Sequence, residues 1–309
     1  MRMKPHQKQS QRNLWQWQNM QIAWNSVGCS ESSKTAIVLI HGFGACKEHW
    51  RHNQPVIGKL AICYAIDLIG FGNSSQPKAR LPGDEQEIDD FMYGFDSWAN
   101  QVSDFCKEIV KKPVILVGNS IGGVIALRAS QLLKEACREI VLIDCAQRTM
   151  DDKRLAEQPK LMRWTRPLLK TLVRQRWLSR NLFRNAANPN VIKKVLMQAY
   201  PSGKNVDQNL IKLLHTPSKR KGAKEAFRGF INLFDDHLAP HILTNLQIPV
   251  DMIWGEKDPW EPLEEAQIWA DSFKCIRCLE VIPGAGHCPH DEAPEAVNRV
   301  LTKLIQQAT

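Results

Sequence analysis

Ser120, Asp258 and His287 have the types and the chain order needed for nucleophilic attack on a carbonyl, with separations of 138 and 29 residues. At neutral pH a serine hydroxyl needs a base to take its proton, and the base needs an acid to orient it. Ser120 lies in Gly118-Asn119-Ser120-Ile121-Gly122, after the apolar run Val114 to Val117 and before the helical run Val124 to Leu133. A strand that meets a helix through so sharp a turn strains its middle residue by about 1–3 kcal/mol. Such a turn lifts the hydroxyl clear of the sheet, and the flanking glycines remove side chains that would collide there. Ile121 N–H would open the helix and face a developing oxyanion. Phe43, in His41-Gly42-Phe43-Gly44 after the buried run Ala36 to Ile40, is the candidate for the second donor.

Asp258 leaves the end of an expected strand in Gly255-Glu256-Lys257-Asp258-Pro259-Trp260, the place where parallel sheets put functional groups. His287 leaves the next one, behind Gly284 and Gly286. Asp144, at the end of the strand Glu139 to Ala146, is an alternative acid, and His290 with Asp291 is a rival pair near His287. His41 and Asp67 read as residues that hold their own loops. Asn119, Trp260 and Trp164 are candidates for the substrate pocket. Serine chemistry of this kind needs no metal or organic cofactor. Cys275 and Cys278 have the spacing of a metal or redox pair, but they abut a strand and no second pair exists.

Several elements must position these groups. Residues 14 to 27 read as two short antiparallel strands at a sheet edge. Thr35 to Ile40, Leu60 to Ile66 and Glu139 to Ala146 read as strands, with helices near Lys47 to Lys59 and Phe95 to Lys111. Alternating strands and helices predict an α/β fold with a mostly parallel sheet and helices on both faces. The alternation stops over residues 147–246 and resumes at Val250. The expected organisation is a disordered basic tail over residues 1–13, a core over 14–146 and 247–309, and a helical lid over 147–246.

With 309 residues, 43% of them apolar, the chain can bury a large core. No apolar run is long enough to span a membrane, and the basic N-terminus lacks the apolar region of a secretory signal. Nine scattered cysteines suit a reducing, cytoplasmic compartment better than a disulfide framework. The net charge of +9 is uneven: residues 147–245 hold 20 Lys and Arg against 7 Asp and Glu, the remainder 21 against 25. Within the lid, Arg163, Arg166, Lys170 and Arg174 fall on one helical face; Leu161, Trp164, Leu168 and Leu172, with Leu169, Val173 and Trp177, line the other sides. Pro167 is expected to restart this helix. Either the helix buries its apolar stripe over the site, or its cationic face meets an anionic membrane and admits an apolar ester. No nucleic-acid motif accompanies the charge, so no nucleic-acid partner is expected.

The motifs resemble those of the α/β-hydrolases, and among them the pheophytinase and chlorophyll dephytylase group of plants and cyanobacteria. The resemblance rests on His41-Gly-Phe-Gly with His49-Trp50, Ala65-Ile-Asp-Leu-Ile-Gly-Phe-Gly72, Gly118-Asn-Ser-Ile-Gly-Gly123 and Gly255-Glu-Lys-Asp-Pro-Trp260. Its most specific stretch is Gly286-His-Cys-Pro-His-Asp-Glu-Ala-Pro-Glu295. The resemblance implies an α/β-hydrolase fold with an inserted helical lid, Ser120, Asp258 and His287 as the triad, and a phytylated tetrapyrrole ester as substrate. It also implies a peripheral place on the thylakoid membrane. The N-terminus shows no clear chloroplast transit peptide, which favours a bacterial (cyanobacterial) protein or a trimmed chain. Another lipophilic-ester hydrolase is an alternative, as is a carbon–carbon bond hydrolase of dienoates. The latter shares the Gly-Asn-Ser-x-Gly-Gly elbow, but the Gly-Pro pair that often follows its His-Gly segment is absent here. A serine nucleophile argues against haloalkane dehalogenases and epoxide hydrolases, which use aspartate. A hydrolase-fold scaffold without activity would usually have lost a triad member.

Overall fold

The computed structural model describes residues 13–29 and 33–308. The expected tail lies outside them except for Asn13, which opens the first strand. Eight strands form one sheet: β1 (Asn13–Trp17), β2 (Met20–Val27), β3 (Ala36–Ile40), β4 (Cys63–Ile66), β7 (Val114–Asn119), β8 (Cys137–Ile143), β9 (Val250–Gly255) and β10 (Ile276–Ile282). The two-residue strands β5 (Lys78–Ala79) and β6 (Asp90–Phe91) pair separately within the long connection after β4. The sheet order is β1-β2-β4-β3-β7-β8-β9-β10. The hairpin β1–β2 is antiparallel to its neighbours and the other six strands run parallel.

The strands are apolar throughout because both faces are covered. In β3, Ala36, Val38 and Ile40 enter the cluster on one face, while Ile37 and Leu39 enter the other. On the first face lie α2 (Phe95–Phe105), α3 (Ile121–Leu133) and, farther along the chain, α9 (Ala239–Leu243) and α10 (Leu263–Ser272). On the second lie α1 (Gln54–Ile57) and α12 (Pro294–Ala308), through Ile57, Val297 and Leu301. The helix expected over Lys47 to Lys59 is divided into a 3₁₀ turn (Lys47–Trp50) and α1. Pro55 has no N–H for the Arg51 carbonyl, so a continuous helix is broken there.

Between β8 and β9 the chain forms α4 (Lys160–Arg174), α5 (Arg176–Ala186), α6 (Pro189–Ala199), α7 (Gln208–Ser218), α8 (Ala223–Ile231) and α9. Pro167 does not restart α4; it lies inside one continuous helix and removes a single backbone bond. The faces of α4 are also reversed from a helix that buries an apolar stripe. Arg166 is buried, donates to Asp152 at 3.0 Å and stacks on Phe234, and Lys170 pairs with the same aspartate. Arg174 reaches Asp84 at 3.0 Å. Of the four expected surface cations, only Arg163 is exposed and unpaired among the described residues. Leu161, Trp164, Leu168 and Leu172 face outward. No helix among the described residues is long and apolar enough to cross a membrane.

Candidate active site

The order of parallel strands reverses at β3 and β7, and ligands of such sheets gather where the carboxyl ends of these strands diverge. Ser120 sits there between β7 and α3, with φ 55° and ψ −123°. Surrounding bonds enforce this left-handed backbone: Ser120 N–H donates to Ile143 O at 3.0 Å, and Ser120 O accepts from Gly123 and Ala146 N–H. Glycine is required on both sides. A Cβ on Gly118 would overlap the Gly122 carbonyl, and one on Gly122 would overlap the Ile40 carbonyl. Ile121 is the first residue of α3, so its N–H has no acceptor within the helix. Phe43 follows β3 across the same opening, its ring stacked on Phe230 of α8 at 3.8 Å.

Asp258 and His287 come from the loops after β9 and β10, which are adjacent parallel strands. His287 Nδ1 lies 2.8 Å from Asp258 Oδ2. The other carboxylate oxygen, Oδ1, accepts from the amides of Trp260 (2.9 Å) and Glu261 (3.1 Å). Burial would raise this carboxyl, but the His287 bond, the His287 charge and the Trp260 amide outweigh it and hold Asp258 below the usual range. With Nδ1–H donated to Asp258, Nε2 of His287 keeps its lone pair and can act as a base.

Two further carboxyls stand near Asp258. Asp144 is fully buried, accepts from Gly255 N–H at 2.8 Å and has a left-handed backbone (φ 43°). Burial, then the Asp258 charge, push its carboxyl well above the usual range. Burial also raises Glu261, to about 8, against the Gln147 N–H bond and with the help of the Asp258 charge. Burial thus favours the neutral form of Asp144 and Glu261, while the bond to His287 favours the charged form of Asp258. Asp144 backs Asp258 rather than contacting His287.

Phe43, Asn119, Ser120, Ile121, Trp260 and His287 line one cavity of about 670 Å³, within the usual range for small-molecule sites. Trp260 packs edge-on against the His287 ring, with centroids 4.8 Å apart. Asn119 donates to Ile143 O and His287 O, tying the elbow to the histidine loop. Trp164 does not line the cavity. Its side chain is 83% exposed, because the inward places on α4 are taken by Arg166 and Val173. Much of the remaining wall is apolar and comes from the helical insert, including Phe183, Ile192, Leu196, Leu214 and Phe227. Sequence reasoning missed these residues, although the closely spaced Phe227 and Phe230 of α8 were a legible signal.

The rival His290 is fully buried against Trp50 and His49, and neither of its ring nitrogens has a hydrogen-bond partner. Asp291 instead accepts from Arg51 (2.7 Å) and from Tyr200 OH (3.0 Å), and Tyr200 OH lies 2.8 Å from His49 Nε2. Glu292 accepts from Gly286 N–H and Ser202 N–H, while His287 N–H donates to Ala199 O. The stretch after His287 thus braces the histidine loop against the insert. His41 behaves likewise, accepting from Leu68 N–H at 3.1 Å, and Asp67 binds Lys47 and Asn73. Cys275 and Cys278 bond separately, to Leu243 O and to Asp251, and no disulfide forms among the described residues.

A model of the alpha/beta hydrolase family matches residues 37–300, and the chain belongs to that family. It is 25% identical over 320 residues to a chloroplast pheophytinase of Arabidopsis thaliana, covering 93% of this chain but only 64% of that protein. It is 23% identical over 302 residues to a mouse (Mus musculus) (lyso)-N-acylphosphatidylethanolamine lipase, covering 93% of this chain and 84% of that protein. Among solved structures, a bacterial membrane phospholipase A superposes with a TM-score of 0.72 at 22% identity, over 97% of this chain and 86% of the other.

Proposed function

We propose that this hydrolase cleaves the carboxylic ester of a large apolar molecule, with the phytyl ester of chlorophyll or a pheophytin-type pigment as its substrate. Ser120 Oγ attacks the ester carbonyl as His287 Nε2 takes its proton. The Phe43 and Ile121 amides receive the oxyanion; losing one such donor typically costs about 10²–10³ in turnover. His287 then gives the proton to the departing alcohol, and water frees the acyl group from Ser120 by the reverse sequence.

The observation that carries the reading is the 2.8 Å bond between Asp258 and His287, beside a serine strained onto the wall of the same apolar cavity. The cavity's composition favours an apolar ester over a small anionic dienoate. Its only cationic wall residue among the described residues, Arg148, is already paired with Asp151. The pheophytinase relative supports the choice of a phytyl ester. A fluorophosphonate probe should label wild type at Ser120 and leave Ser120→Ala unlabelled. Mass spectrometry of a pigment mixture should then show loss of phytylated species and release of phytol. Labelling without any change in the pigments would leave a serine hydrolase of another ester. No labelling at Ser120 would remove the mechanism.

A further inference from the structure

The outward stripe of α4 is unusual for a surface helix. Leu161, Trp164, Leu168 and Leu172 recur at i, i+3, i+7 and i+11, and their exposures are 71, 83, 62 and 42%. Trp177 of α5 is 63% exposed. An amphipathic helix ordinarily turns such a stripe toward the core. Here the core-facing side holds Arg166, Lys170 and Arg174, neutralised by Asp152 and Asp84. The apolar row is left to whatever meets the molecule from outside, and contiguous patches of this kind mark interaction surfaces.

We propose that the outer face of α4 and the start of α5 form a lipid-docking surface, with apolar side chains entering the interface and free cations meeting anionic headgroups. Two observations select lipid over other occupants. The first is charge. Arg163, Arg180, Arg184, Lys193 and Lys194 of α4, α5 and α6 are exposed and make no ion pair among the described residues. Arg180 and Arg184 follow exposed Trp177 at i+3 and i+7 on α5, so one helix face carries unpaired cations with a tryptophan, as an interfacial helix does, and tryptophan suits the boundary between headgroups and hydrocarbon. The second is continuity with the cavity. Met150 and Val195 are about half exposed and also line the cavity, while α5 adds Phe183 and Ala186 to its wall. An apolar molecule leaving the lipid layer would meet the mouth of the site without crossing open water.

Docking is independent of the reaction assigned above, so Ser120→Ala should bind vesicles as wild type does, even if no ester is found. The test is co-sedimentation with phosphatidylcholine vesicles, with and without phosphatidylglycerol, at low and high salt. Wild type should bind both kinds and prefer the anionic ones, and salt should remove only that preference. Trp164→Ser with Leu168→Ser should weaken binding to both by about tenfold or more, because each removes apolar area from the interface. Arg163→Gln with Arg180→Gln should reduce only the anionic preference. Of the five side chains in these tests, Trp164, Leu168, Arg163 and Arg180 lie outside the catalytic cavity, and Ser120 lies away from the docking face. Failure of wild type to bind either vesicle, or unchanged binding by the Trp164/Leu168 variant, would overturn the proposal. So would light scattering that shows a wild-type dimer made monomeric by that variant while vesicle binding persists, since the stripe would then cover a second copy of the chain.

Discussion

The sheet core and helix α4 of the insert differ in the side chains they bury. In β3, β7 and β8 most buried residues are aliphatic on both faces, and the one buried charge among these strands is Glu139 in β8. In α4 the inward side carries ion pairs beside a single buried valine, Val173, and the other aliphatic and aromatic side chains face outward. The core is therefore stabilised mainly by removing apolar area from water. The position of α4 depends on charged hydrogen bonds to Asp152 and Asp84, each contributing about 1.5–3 kcal/mol when well shielded. The difference teaches that charge beneath α4 serves the architecture and leaves the apolar row free, whereas beyond the ends of β9 and β10 charge is held on Asp258 beside His287.

The largest expected effect tests the first half of that contrast. Asp258→Asn should lower turnover by about 10⁴ with little change in the unfolding midpoint, since the amide keeps the shape but no longer holds the histidine's tautomer. Asp144→Asn should cost less than about tenfold, because Asp144 is one carboxyl removed from His287 and its burial favours the neutral form that the amide resembles. Steady-state kinetics on a soluble ester reads both. A large loss at Asp144 with a small one at Asp258 would exchange their roles.

A smaller effect tests the second half. Arg166→Gln should lower stability by about 1–3 kcal/mol, through loss of the Asp152 bond and the stacking on Phe234. Arg163→Gln should stay within about 0.5 kcal/mol of wild type. Urea denaturation followed by circular dichroism separates the two. Equal effects would mean that the inward cations of α4 do no more than an exposed one.

The smallest effect lies at the far end of the sheet, where the core itself buries charge. Glu139, the third residue of β8, lies beside Asp251, and both pair with Arg277. Burial, then the hydrogen bond with Asp251, raise its carboxyl to about 7 against the pull of Arg277. The folded protein thus holds a proton that the unfolded chain has lost above the ordinary glutamate range. That contribution is full at low pH and disappears as pH rises through the folded value. The stability of wild type relative to Glu139→Gln should therefore fall between about pH 5 and about pH 8 in urea titrations. A flat difference would show that Glu139 titrates alike in both states.

Much of the core was legible because its signals are local. Ile276 to Ile282 reads as a strand and forms one, and the apolar runs beginning at Val114 and Val250 do the same. The chain order of Ser120, Asp258 and His287 can be read in one dimension. Their approach depends on β9 and β10 lying side by side, a matter of pairing. The break at Pro55 was readable from proline's missing N–H and was overlooked, whereas Pro167 is tolerated by a helix anchored on both sides of it.

The individual strands of the core, the glycine-flanked elbow and the two-sided periodicity of α4 are written in the sequence, since each is a local pattern along the chain. Only the tertiary structure decided which side of α4 faces inward. Periodicity shows that a helix has two unlike faces, but burial is chosen by what lies opposite. Here that is Asp152, Asp84 and Phe234, brought from three separate segments. Once those acids and that ring occupy the inner surface, cations are the side chains that satisfy them. The leucines and tryptophan are left facing out.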